Sequence, residues 1–497
     1  MQFTTIHRVI LIFFVINVLL AFYATPITDL GDAGSYIEFS NKLLGEKISE
    51  NFAHRSPLFS MILAVFINWF GIPLAYKAIV FFQYGLVFLT ALFVYQIFKR
   101  FFLKAFLTFL IALLFNLSFS TIYFANILLS EILTVFLLML SVYFLIKFSD
   151  RCKKSYLTYL GTSIGLISLA RFNAVPLVFS FFLLLLYFIF IEKRYSFKKG
   201  LVNLLFFLIP YIMIMNSWAL YNFYNNGFYG LFPRSNGIVS RNVIVASVNP
   251  INRVSPVYQP VLEIFLRAKT LNMKREIPES KGSLKAADKF GILSDLYSGF
   301  QIYGAASPAL KSHFALVSTD GEYELGNRLA GFYKEIAKQN QKFIWKLRFY
   351  SLLSSFRAST GGSLPYNYGN ANLNILPAFL FKLYKIVIPV ISLFVFILFF
   401  ILLYKFVRRQ IKPDFIILTL FIVIFSFWGI NFLFATAGDA NRFKFPAEPL
   451  IIERRISNAT IRTKKEVARI AGCNRVKEAE TQRDYRFPRT GRPSTQL

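Results

Sequence analysis

Apolar residues fall along this chain in blocks long enough to cross a bilayer, which takes roughly 17–25 residues. Such runs lie near 8–25, 75–98, 103–119, 127–148, 156–170, 173–191, 200–220, 377–404 and 413–435. Basic clusters close them on alternate sides: Lys99/Arg100/Lys104, Arg151/Lys153/Lys154, Lys193/Arg194/Lys198/Lys199 and Lys405/Arg408/Arg409/Lys412. Cytoplasmic loops carry extra Lys and Arg, so these clusters and Arg8 are assigned to the inside. The stretch 57–70 (PLFSMILAVFINWF) is also apolar. Counting it as a span would invert Lys99, Arg100 and Lys104, and it is short for one. It is expected to be an interfacial or re-entrant helix. The count is nine spans, with an inside N-terminus and an outward loop over 26–74.

The first run, up to Thr25, lacks a convincing cleavage site and is read as an uncleaved helix. A polar segment, 221–376, separates the seventh and eighth spans and falls outside. It mixes turn signals (Asn225-Asn226-Gly227, Gly361-Gly362, Pro365) with amphipathic helical stretches such as 323–350. The expected organisation is therefore a transmembrane core, 1–220, the outer segment 221–376, and a C-terminal transmembrane part, 377–452. At Glu453 the apolar pattern stops in favour of an Arg-rich tail, 453–497. That tail reads as a disordered basic extension or as a return span cut short by a shift of reading frame.

Composition agrees with a membrane protein: 56% of residues are hydrophobic and 60 are Phe. The net charge of +30 is accounted for by loops beside apolar runs rather than by a basic face, which excludes nucleic acid as a partner. Cys152 and Cys473 have no paired spacing, and His54 and His313 are isolated. No Walker loop, HExxH pair, GxSxG elbow or strand-borne GxGxxG occurs.

The candidate chemistry lies in acids and arginines on the outward side. TDLGDAGSYIEFSNKLLGE, 28–46, follows the first span, and Asp32 and Tyr36 share a helix face at a spacing of four. Asp32 serves either as a base near the bilayer surface or as the N-cap of the helix that follows. With Asp29 it would also suit a divalent cation. Glu131, in ANILLSEILTVFLL, either faces a watery interior or lies at the interface. Arg171, in SLARFNAV, is outside, where topology gives it no reason to be; phosphate binding and a plain loop charge both fit. Arg442 either serves a phosphate or pairs with Asp439. Arg55 precedes Pro57, a residue suited to the first turn of a helix.

Taken in order, these motifs resemble the C-type membrane glycosyltransferases, which use polyprenyl-phosphate-linked sugars. Protein O-mannosyltransferases and the lipid A aminoarabinose transferase are the familiar members. The acidic loop GDAGSYIEFSNKLL is followed by RSPLFSMILAVFINWFG, a span ending in KRFF, LLSEILTVFLLML, LISLARFNAV and RFKFPAEPLII. The resemblance covers about residues 5–220 and 377–452. It implies an all-α polytopic membrane protein with a C-type glycosyltransferase-like helical core plus a mixed extracytoplasmic segment. It further implies a multi-pass protein of the bacterial inner (plasma) membrane with its active site on the outer face. A polyprenyl-phosphate sugar would be the donor and an extracytoplasmic molecule the acceptor. Asp32 would act on the acceptor, with Asp29 a second candidate, and Glu131 would be the second acid. Arg171, Arg442 and Arg55 would hold the donor phosphate, and Tyr36 would support Asp32. The alternative is a transport or assembly protein that handles lipid-linked saccharides without chemistry.

Overall fold

The computed structural model describes residues 5–28, 33–46, 55–99, 105–191, 195–226, 228–231, 241–273, 293–316 and 321–354, with isolated positions between 397 and 424. Over these residues the chain is helical, without a strand; one parallel bridge links Ile27 to Ile127. The predicted spans 377–404 and 413–435 lie outside the described residues except at those isolated positions. Asp29, Asp32, Asp439, Arg442 and the tail lie wholly outside them.

Among the described residues, ten α-helices precede residue 230: α1 (Thr5–Tyr23), α2 (Ala33–Leu43), α3 (Pro57–Phe70), α4 (Ile72–Phe98), α5 (Ala105–Asn116), α6 (Phe119–Asn126), α7 (Glu131–Arg151), α8 (Lys154–Ala170), α9 (Leu177–Leu186) and α10 (Phe197–Asn226). Of the described helices, α4, α7 and α10 are long and apolar enough to cross a membrane, and the bent pair α5–α6 would make a fourth. The stretch 57–70 is indeed a separate short helix. Pro57 begins it, where a missing N–H costs nothing. Gly71 ends it at φ 71, a left-handed conformation that strains other residues, and its N–H closes on the Ile67 carbonyl at 2.9 Å.

Two predicted boundaries shift. The run 103–119 is broken at Leu117–Ser118, because the Ser118 hydroxyl accepts the Thr121 N–H at 3.2 Å and caps a new helix, α6. The run 173–191 starts as a single 3-10 turn, Phe172–Ala174, and becomes α9 only after Pro176. The chain reverses between α7 and α8 at Cys152, whose φ of 55 is left-handed.

α4 lies at the centre of this bundle, against α1, α3, α5 and α7; α7 packs on α8, and α8 on α10. Phe13, Phe59, Tyr84, Tyr95, Phe115, Phe148 and Phe181 are fully buried in the shared core. By contrast, Leu11, Phe14, Leu19 and Phe22 on α1 and Leu201, Ile209, Met213 and Phe223 on α10 are exposed. Continuous outward apolar faces of this kind suit lipid rather than water.

The described part of 221–376 is also helical: α11 (Arg241–Ser247), α12 (Gln259–Met273), α13 (Leu293–His313), α14 (Gly321–Gln339) and α15 (Gln341–Ser354). The amphipathic stretch 323–350 thus forms two helices that break at Asn340. A core of its own, including Val245, Phe265, Ile302, Leu310 and Phe332, holds this group together. Its 249–255 loop is pinned to α14 by Glu335, which accepts from the Ser255 N–H at 2.9 Å and the Ser255 hydroxyl at 3.0 Å.

Candidate active site

Glu131 is the first residue of α7, where a carboxylate gains from the positive end of the helix. The segment before it is extended and tied down from two sides. Ile27 donates its N–H to the Asn126 carbonyl at 2.9 Å, and Leu128 donates to the Ile27 carbonyl at 3.3 Å. From α4, the Gln83 amide donates to the Ile127 carbonyl at 2.9 Å and the Tyr84 hydroxyl to the Asn126 side chain at 3.3 Å. The residues that enter the acidic loop and those that deliver Glu131 are therefore one fixed unit.

Arg171 sits at the opposite kind of place, the end of a helix. Its own N–H still closes on the Ile167 carbonyl at 2.8 Å, but its backbone is extended (φ −157, ψ 106), so the side chain leaves the axis of α8. Its Nη1 lies 3.3 Å from Oε1 of Glu131. Glu131 is completely buried and the Arg171 side chain is 8% exposed. That burial sets both charges among protein atoms rather than in solvent.

Tyr36 on α2 reaches the same corner. Its hydroxyl is 3.2 Å from the hydroxyl of Ser130, the residue before Glu131, and its ring stands edge-on to Phe59 at 5.5 Å. Two serines lock α2 to α3 beneath it: the Ser40 and Ser60 hydroxyls both donate to the Tyr36 carbonyl, at 2.7 and 3.0 Å, and Ser40 also donates to the Ser60 carbonyl at 3.0 Å. Arg55, half-buried, donates to the Ser35 hydroxyl at 3.1 Å. Beside it, the Ser56 hydroxyl accepts the Phe172 N–H at 3.0 Å, which fastens α3 to the turn that carries Arg171. An aromatic corner covers this turn: Phe39 of α2 meets Trp218 of α10 at 6.4 Å, in one cluster with Leu169 and Phe172.

The structure thus brings together Tyr36, Glu131 and Arg171, with Arg55 joined to them through α2 and α3. Asp29, Asp32 and Arg442 fall outside the described residues. Among the described residues no group of three His, Cys, Asp or Glu side chains is placed to hold a metal. Ser35, Ser56 and Ser130 escaped the sequence reading. Ser56 and Ser130 occupy the N-cap positions of α3 and α7, and neither hydroxyl caps its helix.

No protein-family model and no curated protein matches the chain. Solved structures do. The chain is similar to ArnT. The apo structure of ArnT from Cupriavidus metallidurans is 11% identical, over 88% of this chain and 78% of that one, with a TM-score of 0.36. The structure of the same protein bound to undecaprenyl phosphate is 13% identical, over 87% of this chain and 77% of that one, with a TM-score of 0.33.

Proposed function

We propose that this chain is an integral membrane glycosyltransferase. It moves a sugar from a polyprenyl-phosphate carrier to an acceptor outside the cytoplasm, a glycolipid, polysaccharide or protein, with inversion. The observation behind this reading is the buried Glu131–Arg171 pair at 3.3 Å. At that separation the attraction is ~5 kcal/mol for an effective dielectric constant of about 20. Removing both ions from water costs several kcal/mol each, so apolar side chains would stabilise the corner at least as well. A charge pair kept in such a place is better explained by chemistry than by stability.

In this reading Arg171 offers its guanidinium fork to the donor phosphate, and Glu131 compensates it when no donor is bound. Arg55 and Arg442 add positive charge around the same phosphate. Asp32, directly before α2, takes the proton from the acceptor hydroxyl or amine, with Asp29 as the second candidate. The acceptor oxygen or nitrogen then bonds to the anomeric carbon from the face opposite the phosphate. The bond from that carbon to the phosphate oxygen breaks, and polyprenyl phosphate leaves with the electron pair. Tyr36 holds the α2 end of this arrangement against Ser130. The division into a transmembrane core (1–220 and 377–452) and an outer segment (221–376), in the inner membrane with the site on its outer face, belongs to the same proposal.

The test is transfer of radiolabel from polyprenyl-phosphate sugars to candidate acceptors by purified protein. Transfer is expected with the wild type and is expected to vanish in Asp32→Asn, with expression and insertion unchanged. Full transfer by Asp32→Asn would remove Asp32 from the mechanism. Donor lipid that binds without any transfer would favour a non-enzymatic carrier.

A further inference from the structure

Away from the Glu131–Arg171 pair, α14 and α15 meet Ile244 of α11 around an open groove of about 720 Å³. Its floor is apolar, formed by Ala330, Tyr333, Ala337 and Ile344. Its rim carries Lys334, Lys338 and Arg348, and no acid lines it among the described residues. Lys342 and Lys346, also on α15, are exposed as well.

Trp345 stands at the edge of the groove, 54% exposed. The Arg348 guanidinium lies over its ring at 5.4 Å from the centroid. A guanidinium stacked in this way keeps its N–H edge available for an anion. The Nε of Arg348 is shielded from solvent and has no acceptor among the described residues. An apolar trough edged by three cations and an indole matches a ligand with one anionic end and one greasy end. A soluble anion would leave the trough unused, and a neutral lipid would leave the cations unused. Indole rings with Lys and Arg beside them are also characteristic of the bilayer surface.

We propose that this groove seats an anionic phospholipid of the bilayer surface, with its phosphate among Lys334, Lys338 and Arg348 and an acyl chain along Tyr333, Ala337 and Ile344. The proposal rests on the membrane placement in the reading above and not on its catalytic assignments.

The experiment uses the full-length protein in phosphatidylcholine nanodiscs that contain a minor fraction of phospholipid brominated on its acyl chains. The difference between wild type and Trp345→Phe isolates the fluorescence of Trp345. Brominated phosphatidylglycerol is expected to half-quench it at a mole fraction roughly tenfold lower than brominated phosphatidylcholine. Lys338→Gln and Arg348→Gln are each expected to weaken that preference by about fivefold, equivalent to ~1 kcal/mol per cation. Equal quenching by the two lipids overturns the proposal, and so does no quenching by either. Loss of the preference on adding inorganic phosphate would assign the cations to a soluble anion and overturn it too. Sugar transfer measured on the same nanodiscs separates the two ideas. Selective quenching without transfer counts against the reaction alone, and transfer without selective quenching against the groove alone.

Discussion

Ser56 accepts a hydrogen bond from the backbone N–H of Phe172 at 3.0 Å, across 116 residues of chain, although it occupies the N-cap of α3. A serine in that position ordinarily caps its own helix. Here Pro57 has already removed one of the N–H groups that need a partner, and the hydroxyl turns outward instead. Ser130, the N-cap of α7, behaves alike: its hydroxyl meets Tyr36 rather than its own helix. Two helix starts therefore hold the turn of Arg171 and the ring of Tyr36.

Replacing Ser56 with alanine leaves the Phe172 N–H without its acceptor. The expected loss is about 1–3 kcal/mol of stability, read as a lower unfolding midpoint in detergent micelles. Because the bond fixes the residue after Arg171, the KM for donor lipid is expected to rise more than the KM for acceptor. Ser56→Thr keeps the hydroxyl and is expected to restore both. An unchanged midpoint and KM in Ser56→Ala would show that this bond does not position the turn.

The sequence made some of this legible and hid the rest for definite reasons. The ends of α3 could be read because Pro57 and Gly71 are local signals and because the run was too short to span. The break at Ser118 was masked by apolar residues on both sides, which look continuous in a window of span length. Tyr36 was picked out only by its spacing from Asp32, and its bond to Ser130 has no trace in one dimension. Glu131 and Arg171 were each noticed as misplaced charges. Their pairing depends on how α7 packs against α8, and local pattern does not encode that. Asp32 and Arg442 remain readings of sequence, since the described residues do not include them.

The ion pair should behave as a unit. Glu131→Ala or Arg171→Ala alone removes one partner of a buried charge pair, at an expected cost of about 3–5 kcal/mol. The double replacement Glu131→Leu with Arg171→Met removes both charges at similar volume and is expected to recover most of that stability. Sugar transfer is expected to be lost in all three variants. Unfolding midpoints and label transfer, measured side by side, check this. A double variant that is stable and fully active would make the pair purely structural.

Tyr36→Phe deletes the hydroxyl facing Ser130 and leaves the edge-on contact with Phe59 in place. About 1 kcal/mol of stability is expected to go with the hydrogen bond. Transfer is expected to fall while the protein still folds and binds donor lipid. Lipid retention measured by mass spectrometry, together with initial rates, separates a positioning role from a loss of fold.

The close approach of α8 and α10 gives the sharpest test of packing, because α8 ends at Arg171. A methyl group at Gly161 would lie 2.0 Å from the backbone carbonyl oxygen of Phe207, which no rotamer change can relieve. Alanine would gain up to ~1 kcal/mol in helix propensity. Forcing the helices apart costs about 1–3 kcal/mol or more, so Gly161→Ala is expected to be destabilising. Gly165→Ala should be milder, since its nearest neighbours are side-chain atoms of Ile214 at 3.0–3.2 Å, an overlap far smaller than the 2.0 Å approach at Gly161. Gly304→Ala, in mid-α13 with nothing within 4 Å, is expected to stabilise by roughly 0.5–1 kcal/mol and to leave transfer unchanged. Unfolding midpoints in the order Gly304→Ala, wild type, Gly165→Ala, Gly161→Ala are the expected result. Loss of transfer in Gly161→Ala is expected with it, because parting the two helices moves the end of α8 and the guanidinium it carries. A Gly161→Ala variant that gains stability would mean that α8 and α10 do not meet backbone to backbone at this point.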